Sequence, residues 1–335
     1  MVGVQSLRYR AYRHSQGTVH IAAADVSWQH LCQQHQHVAL VRPTYTGICS
    51  ADVRELRGER PGRSDFGHEV VATVLRSTHY RFNIGEPVVL NPFVRIVRET
   101  GFSEMMYLAG TEHLLGSALV KVPSDDICFS MAEPLACAIH AAHQSVLDTR
   151  EPQLVFGAGF FGYLLYCYLE HRGVPVTLAN RSPDRLSYLV DKVPGLRVSS
   201  DLGCAANESA TVFLMQSQVD RHDVASAAHC VRQDGGIVVF GTIDRNTDPE
   251  LHSIRNLQQR RAWSMDGKSF YLQGTLDASA EDLREALAIL AQAEFTRKLT
   301  PILAEPLTFE QGARHLTQRS LSPRSYGKHI VAVWQ

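Results

Sequence analysis

The sequence predicts an α/β protein in which a doubly wound parallel sheet is joined to a β-rich part. Three observations carry that reading. Residues 153–173 read QLVFGAGFFGYLLYCYLEHRG, where a buried-strand run from Leu154 to Phe156 leads straight into Gly157-x-Gly159-x-x-Gly162. An apolar helix follows, then a second strand run at 174–179. From 153 to about 274, strand and helix patterns keep alternating, as in a sheet covered by helices on both faces. Before about residue 123 the pattern is different: 38–42, 70–75, 87–90 and 118–122 are apolar or β-branched runs bounded by Gly, Pro and Asn, the mark of short strands and turns.

Taken in order, the elements justify themselves. A helix is expected from Pro134, a residue suited to a first helical turn, with Leu135, Ile139 and Ala142 on one face. In the glycine turn, the first glycine permits the tight bend and the second admits a pyrophosphate close to the backbone. The third lets helix and strand pack closely, with the helix N-terminus facing the phosphates. A strand before, a helix after and a second strand beyond are the context that makes G-x-G-x-x-G a dinucleotide-binding (Rossmann) fingerprint. Further on, 211–215 and 236–241 read as buried strands with a helix at 219–231 between them, and 281–292 as an amphipathic helix. The tail holds a helix near 309–318 and a strand at 329–334.

A chain of 335 residues suits two domains. They are expected at 1–147 with 301–335 for the β-rich part, and at 148–300 for the nucleotide-binding part. A formal net charge of −1 gives no general attraction to nucleic acid or to an anionic membrane. The first residues are polar and basic rather than a signal core, and the most apolar run, 154–169, is too short for a span and carries the three glycines. Seven cysteines without a C-x-x-C pair form neither a disulfide framework nor a structural zinc knuckle, which fits a reducing cytoplasm.

Three short segments ahead of the glycine turn hold metal-ligand residue types: Cys49 with Asp52, His68 with Glu69, and Glu133. Each has an ordinary reading alone. Cys49 could be a small core residue, His68 a hydrogen-bonded turn histidine, and Glu133 the acid that caps the helix begun by Pro134. Together, thiolate, imidazole and carboxylate with a fourth position open make the layout of a catalytic zinc site rather than a structural one.

Gly47-Ile48-Cys49-x-x-Asp52, then Gly67-His68-Glu69-Val70-Val71, then Glu133-Pro134-Leu135-Ala136-Cys137, then the glycine turn, resembles the zinc-dependent medium-chain dehydrogenase/reductase superfamily. The resemblance runs through Gly101-Phe102-Ser103-Glu104 and Leu119-Val120-Lys121-Val122-Pro123 to a closing Gly327-Lys328-His329-Ile330-Val331. It implies a GroES-like catalytic domain beside the Rossmann domain, with the active site in the cleft between them. Glu-Pro-Leu is similar to the polyol (sorbitol) dehydrogenase branch. Carried over by position, Cys49, His68 and Glu133 hold one catalytic zinc, Glu69 lies in or next to the ligand set, and Asp52 orients His68 through its other ring nitrogen. Two departures matter. The stretch 91–101 has no cysteine, so no structural zinc is expected. Ala51 stands where relatives carry a relay hydroxyl, and Ser50 lies one position early.

The resemblance also implies a nicotinamide cofactor held by Gly157, Gly159, Phe161 and Gly162. Where NAD-binding folds place an acid for the adenosine ribose, this chain has Asn180, followed by Arg181 and, one turn on, Arg185. Losing the carboxylate removes repulsion of a 2′-phosphate, and a guanidinium can grip it. NADP(H) is therefore favoured over NAD(H). After Cys49, Arg54, Arg57, Arg60 and Arg63 lie in a loop that borders the substrate in this superfamily; with Glu55 and Glu59 partly offsetting them it reads either as a solvated surface loop or as a contact for an anionic substrate, such as a sugar phosphate, touched by Arg54 or Arg57. A narrower likeness, Arg42-Pro43-x-Tyr45-x-x-Ile48-Cys49-x-Ala51-Asp52, is to the NADPH-using ribulose-5-phosphate reductases (ribitol-5-phosphate dehydrogenases). Relatives are dimers or tetramers, so a homo-oligomer is expected. Two other classes share this fold: a zinc-free quinone or enone reductase, and a nucleotide-binding protein without catalysis.

Overall fold

Strand His37–Gly47 is the spine of the first unit. It pairs antiparallel with Glu69–Ser77 on one side, and on the other with Met106–Gly110 and, at its far end, Ile330–Ala332. Pro87–Leu90, Leu119–Lys121 and Val97–Arg98 extend this sheet to seven strands. Alternating apolar side chains of these strands, among them Val41, Val70, Ala72, Val88, Leu90 and Leu108, form its core. The four strand runs read from the sequence all fall on these strands. The computed structural model describes residues 6–60, 66–145, 150–200, 209–321 and 326–334.

Two compact units emerge, Met1–Glu133 with Leu303–Gln335, and Pro134–Ile302. The first boundary was expected at 147/148, which lies outside the described residues. The observed division falls inside helix Ala132–His143. An N-terminal hairpin, Ser6–Ser15 with Thr18–Ser27, went unread in the sequence. Its turn residues Gln16 and Gly17 both have positive φ (48° and 78°), as a two-residue hairpin needs. Helix Phe309–Leu321 packs Phe309 and Leu316 against Tyr12, Ile48, Phe102 and Val331.

The second unit is the expected parallel sheet. Its parallel strands, numbered by sequence, lie in the order third, second, first, fourth, fifth, sixth: Val198–Ser199, Val176–Ala179, Gln153–Phe156, Ser209–Leu214, Val231–Val239 and Lys268–Gly274. Helices Phe160–His171, Pro183–Lys192, Arg221–Cys230 and Pro249–Asn256 are the crossovers. One strand departs from the parallel pattern: Arg260–Met265 turns back at Asp266-Gly267 and pairs antiparallel at the edge. Both turn residues there have positive φ, so the chain reverses instead of crossing over.

Candidate metal and dinucleotide sites

The first site is assembled by one buried carboxylate. Cys49 is the N-cap of helix Ser50–Leu56, and Asp52, three residues on, accepts the Cys49 backbone N–H at 2.8 Å in a capping box. The other oxygen of Asp52 accepts the Gly67 N–H at 2.9 Å and lies 3.5 Å from Nδ1 of His68. Asp52, 1% exposed, thus fastens the segment bearing Cys49 to the segment bearing His68. Gly67 makes that approach feasible: its φ is +65°, and a Cβ there would stand 2.8 Å from the Phe102 backbone nitrogen. Burial alone would raise the Asp52 pKa, but the imidazole and the two backbone N–H groups hold it below its usual value. Burial would push the His68 imidazole down, yet Asp52 lifts its pKa well above the ordinary histidine value.

Three potential ligand atoms converge here. One each from Cys49, His68 and Glu69 lie within 4.8 Å of one another, and all three residues are buried. Glu133, expected as the third ligand, is buried in the first turn of its helix but is not in this trio. Strand register places Glu69 in it. In the sheet Gly47 pairs with Glu69 on one side and Ile330 on the other, so Glu69 stands at the strand end beside Cys49. Gly47 leaves the room: a Cβ there would fall 2.0 Å from Oε2 of Glu69. That oxygen forms an ion pair with Nζ of Lys328, which also donates to the Ile48 carbonyl at 3.1 Å. Both carboxylate oxygens are buried without hydrogen bonds, so Lys328 is the counter-charge of Glu69. Sequence reasoning had placed Lys328 within a motif without seeing this role. A lone lysine after Gly327, two positions ahead of the apolar run that begins at Ile330, was the available signal.

The relay positions follow the sequence. Ser50 is exposed, and Ala51 lies in the same helical turn. The arginines expected to meet substrate are engaged within the unit. Arg57 donates to the carbonyls of Ser320 (2.8 Å) and Arg319 (3.3 Å), at the C-terminal end of helix Phe309–Leu321, where a cation is favoured. Arg54 lies 3.4 Å from the exposed carboxylate of Glu59. Arg63 lies outside the described residues.

The second site is the glycine turn. Gly157 has φ +115°, and a Cβ on it would lie 2.8 Å from the Gln216 backbone nitrogen. A Cβ on Gly162 would fall 1.9 Å from the Gly157 carbonyl, so helix Phe160–His171 can pack against the turn only with glycine there. Gly159 caps that helix, and Nη1 of Arg185 lies 3.4 Å from where its Cβ would be. Phe161 packs on Phe240 at 5.2 Å. Asn180 turns inward: its side-chain oxygen accepts the Ala158 N–H of the turn at 3.1 Å, and its NH₂ donates to the Ser182 carbonyl. Arg181 lies over the Phe156 ring and pairs with Asp223 at 3.0 Å. Asp223 was not foreseen. It sits in the first turn of helix Arg221–Cys230, forty-two positions from Arg181, and only the parallel sheet brings them together.

No family model matches the chain. Among curated proteins it is similar to an uncharacterised zinc-type alcohol dehydrogenase-like protein of Haemophilus influenzae, with 26% identity over 44% of this chain and 51% of that one. It is similar also to a D-altritol 5-dehydrogenase of Agrobacterium fabrum (28%, 60% of this chain, 68% of that one) and an L-idonate 5-dehydrogenase (NAD(P)(+)) of Escherichia coli (26%, 51% and 57%). The chain spans about half the length of the first of these relatives. Among solved structures, 2R,3R-butanediol dehydrogenase from Bacillus subtilis superposes with TM-score 0.75 at 14% identity, covering 98% of this chain and 100% of that one. A zinc-binding dehydrogenase from Sinorhizobium meliloti bound to NADP superposes with TM-score 0.72 at 16% identity, covering 98% and 100%. The fold is that of these dehydrogenase structures.

Proposed function

We propose that the chain is a zinc-dependent oxidoreductase that moves a hydride between NADP(H) and a secondary alcohol or its ketone, with a polyol or sugar as substrate. The observation that carries this reading is the buried trio of Cys49, His68 and Glu69, in a chain that also has a dinucleotide turn. Thiol, imidazole and carboxylate are a donor set for zinc, and three protein donors leave a coordination position open. Cys49 would bind as thiolate and His68 through the ring nitrogen turned away from Asp52. Glu69 would bind through Oε1, since Oε2 is paired with Lys328. A zinc ion held there supplies Lewis-acid polarisation of a ketone or alcohol oxygen.

The remaining roles belong to the chain. Asp52 orients the imidazole and Lys328 offsets the Glu69 charge in surroundings that exclude water. Ala51 has no hydroxyl, so the alcohol proton is left to water, Glu69 or a neighbouring substrate hydroxyl. The helix N-terminus at Gly159 faces the pyrophosphate. Arg181 reads a 2′-phosphate. Names of the relatives, altritol and idonate dehydrogenases and a structure with NADP bound, favour a polyol and NADP(H). Arg57 is committed to the Phe309–Leu321 helix, so a phosphorylated ketose would be met by Arg54.

The test is metal analysis together with turnover. We expect one zinc per chain, and loss of both metal and turnover in Cys49→Ser. The substrate panel is ketoses, ketose phosphates and simple ketones, each with NADH and NADPH. Full activity in metal-free protein would instead identify a zinc-free quinone or enone reductase. Equal rates on charged and uncharged substrates would remove Arg54 from the site.

A further inference from the structure

Asp223 is buried, with its side chain 5% exposed, while its partner Arg181 is 60% exposed. The carboxylate is held from three sides. Oδ1 accepts from Nε2 of Gln216 (3.1 Å) and pairs with Nη2 of Arg181 (3.0 Å), and Oδ2 accepts the Asp220 backbone N–H (3.1 Å). Gln216 is also the residue whose backbone nitrogen crowds Gly157. Phe156, Gly157, Arg181, Gln216 and Asp223 therefore form one continuous patch at the carboxyl ends of the first, second and fourth parallel strands, where such sheets bind their ligands. The two arginines are placed differently in it. Arg185 reaches the Gly159 turn, where a pyrophosphate would lie, so it serves either nicotinamide dinucleotide. Arg181 lies over Phe156, with a buried anion already at its guanidinium.

We infer that Asp223 moderates the preference for NADPH by sharing the Arg181 guanidinium with the 2′-phosphate, so that the chain favours NADPH over NADH by less than an unshared Arg181 would. This rests on the proposed dinucleotide site. A 2′-phosphate gripping Arg181 would lie within several ångströms of the Asp223 carboxylate, and two anions competing for one guanidinium repel each other in a partly desolvated patch. A ribose hydroxyl carries no charge and does not feel that competition.

Equilibrium titration of purified protein with NADPH, NADH, 2′,5′-ADP and 5′-AMP tests it. Asp223→Asn keeps an oxygen for the Asp220 N–H and removes the charge. It should tighten NADPH and 2′,5′-ADP by about tenfold and leave NADH and 5′-AMP within about twofold. In an Arg181→Gln background the same change should tighten NADPH and 2′,5′-ADP by clearly less, since relief of direct repulsion is all that is left, and should leave NADH and 5′-AMP unmoved. The NADH and 5′-AMP titrations report whether the variant is folded. Unchanged or weaker NADPH binding by a variant that still binds NADH would overturn the inference and leave the dinucleotide site standing. Failure of the unaltered protein to bind any of the four would overturn both.

Discussion

Lys328 and Glu69 form an ion pair whose side chains are 4% and 0% exposed, between residues 259 positions apart. Glu69 opens the strand Glu69–Ser77, and Lys328 stands just ahead of Ile330–Ala332. The two strands flank His37–Gly47, and at its end only glycine at position 47 leaves space for the carboxylate. The charge beside Cys49 and His68 is thus set by a residue from the end of the chain.

Removing one partner of a buried pair leaves the other charge uncompensated, which costs about 3–5 kcal/mol. Lys328→Met should lower unfolding stability by about that amount in chelator-treated protein. The deficit should shrink when zinc is added, because the cation gives Glu69 a second positive neighbour. Urea unfolding with chelator and with zinc measures both. A loss below about 1 kcal/mol, or one that zinc does not relieve, would mean that Lys328 does not balance Glu69.

Asp52 fastens the backbones of Cys49 and Gly67 and faces His68. Asp52→Asn should weaken zinc about 10- to 100-fold, the usual cost of removing a partner that orients a ligand. Competition against a chromophoric chelator would measure it. Zinc affinity equal to that of the unaltered chain would exclude the orienting role.

Burial, with His315, Arg319 and Lys328 nearby, pushes the His329 pKa down to about 4. The ring lies tilted against His315 with centroids 4.1 Å apart, and the His315 pKa is also lowered by burial. In the unfolded chain His329 would titrate near 6.5. The folded value is the lower one, so its contribution is fully present above about pH 6.5 and is lost as pH falls toward 4. The urea midpoint should therefore drop across that window. His329→Gln should flatten the drop while leaving stability at pH 8 less affected. Parallel pH profiles for the two proteins would show that His329 carries none of it.

What was legible in the chain is what is decided locally. In the Gly157 turn, the positive φ of Gly157 and the close packing of Gly162 on the Gly157 carbonyl both act within a few residues. The Cys49–Asp52 capping box spans three residues, and the strand runs of both sheets show in their apolar patterning. The N-terminal hairpin is also written locally, in the alternation of exposed Arg8 and Arg10 with buried Tyr9 and Ala11.

The ligand types, the nucleotide turn and the two kinds of sheet follow from sequence alone, because residue chemistry, backbone freedom and hydrophobic period are properties of short segments. Tertiary structure decided which carboxylate joins Cys49 and His68, what neutralises it, and which acid holds Arg181. Those choices depend on strand register and on which chain ends meet across a sheet. A shift of one residue there would turn Glu69 to the opposite face, and no short segment of the sequence records that.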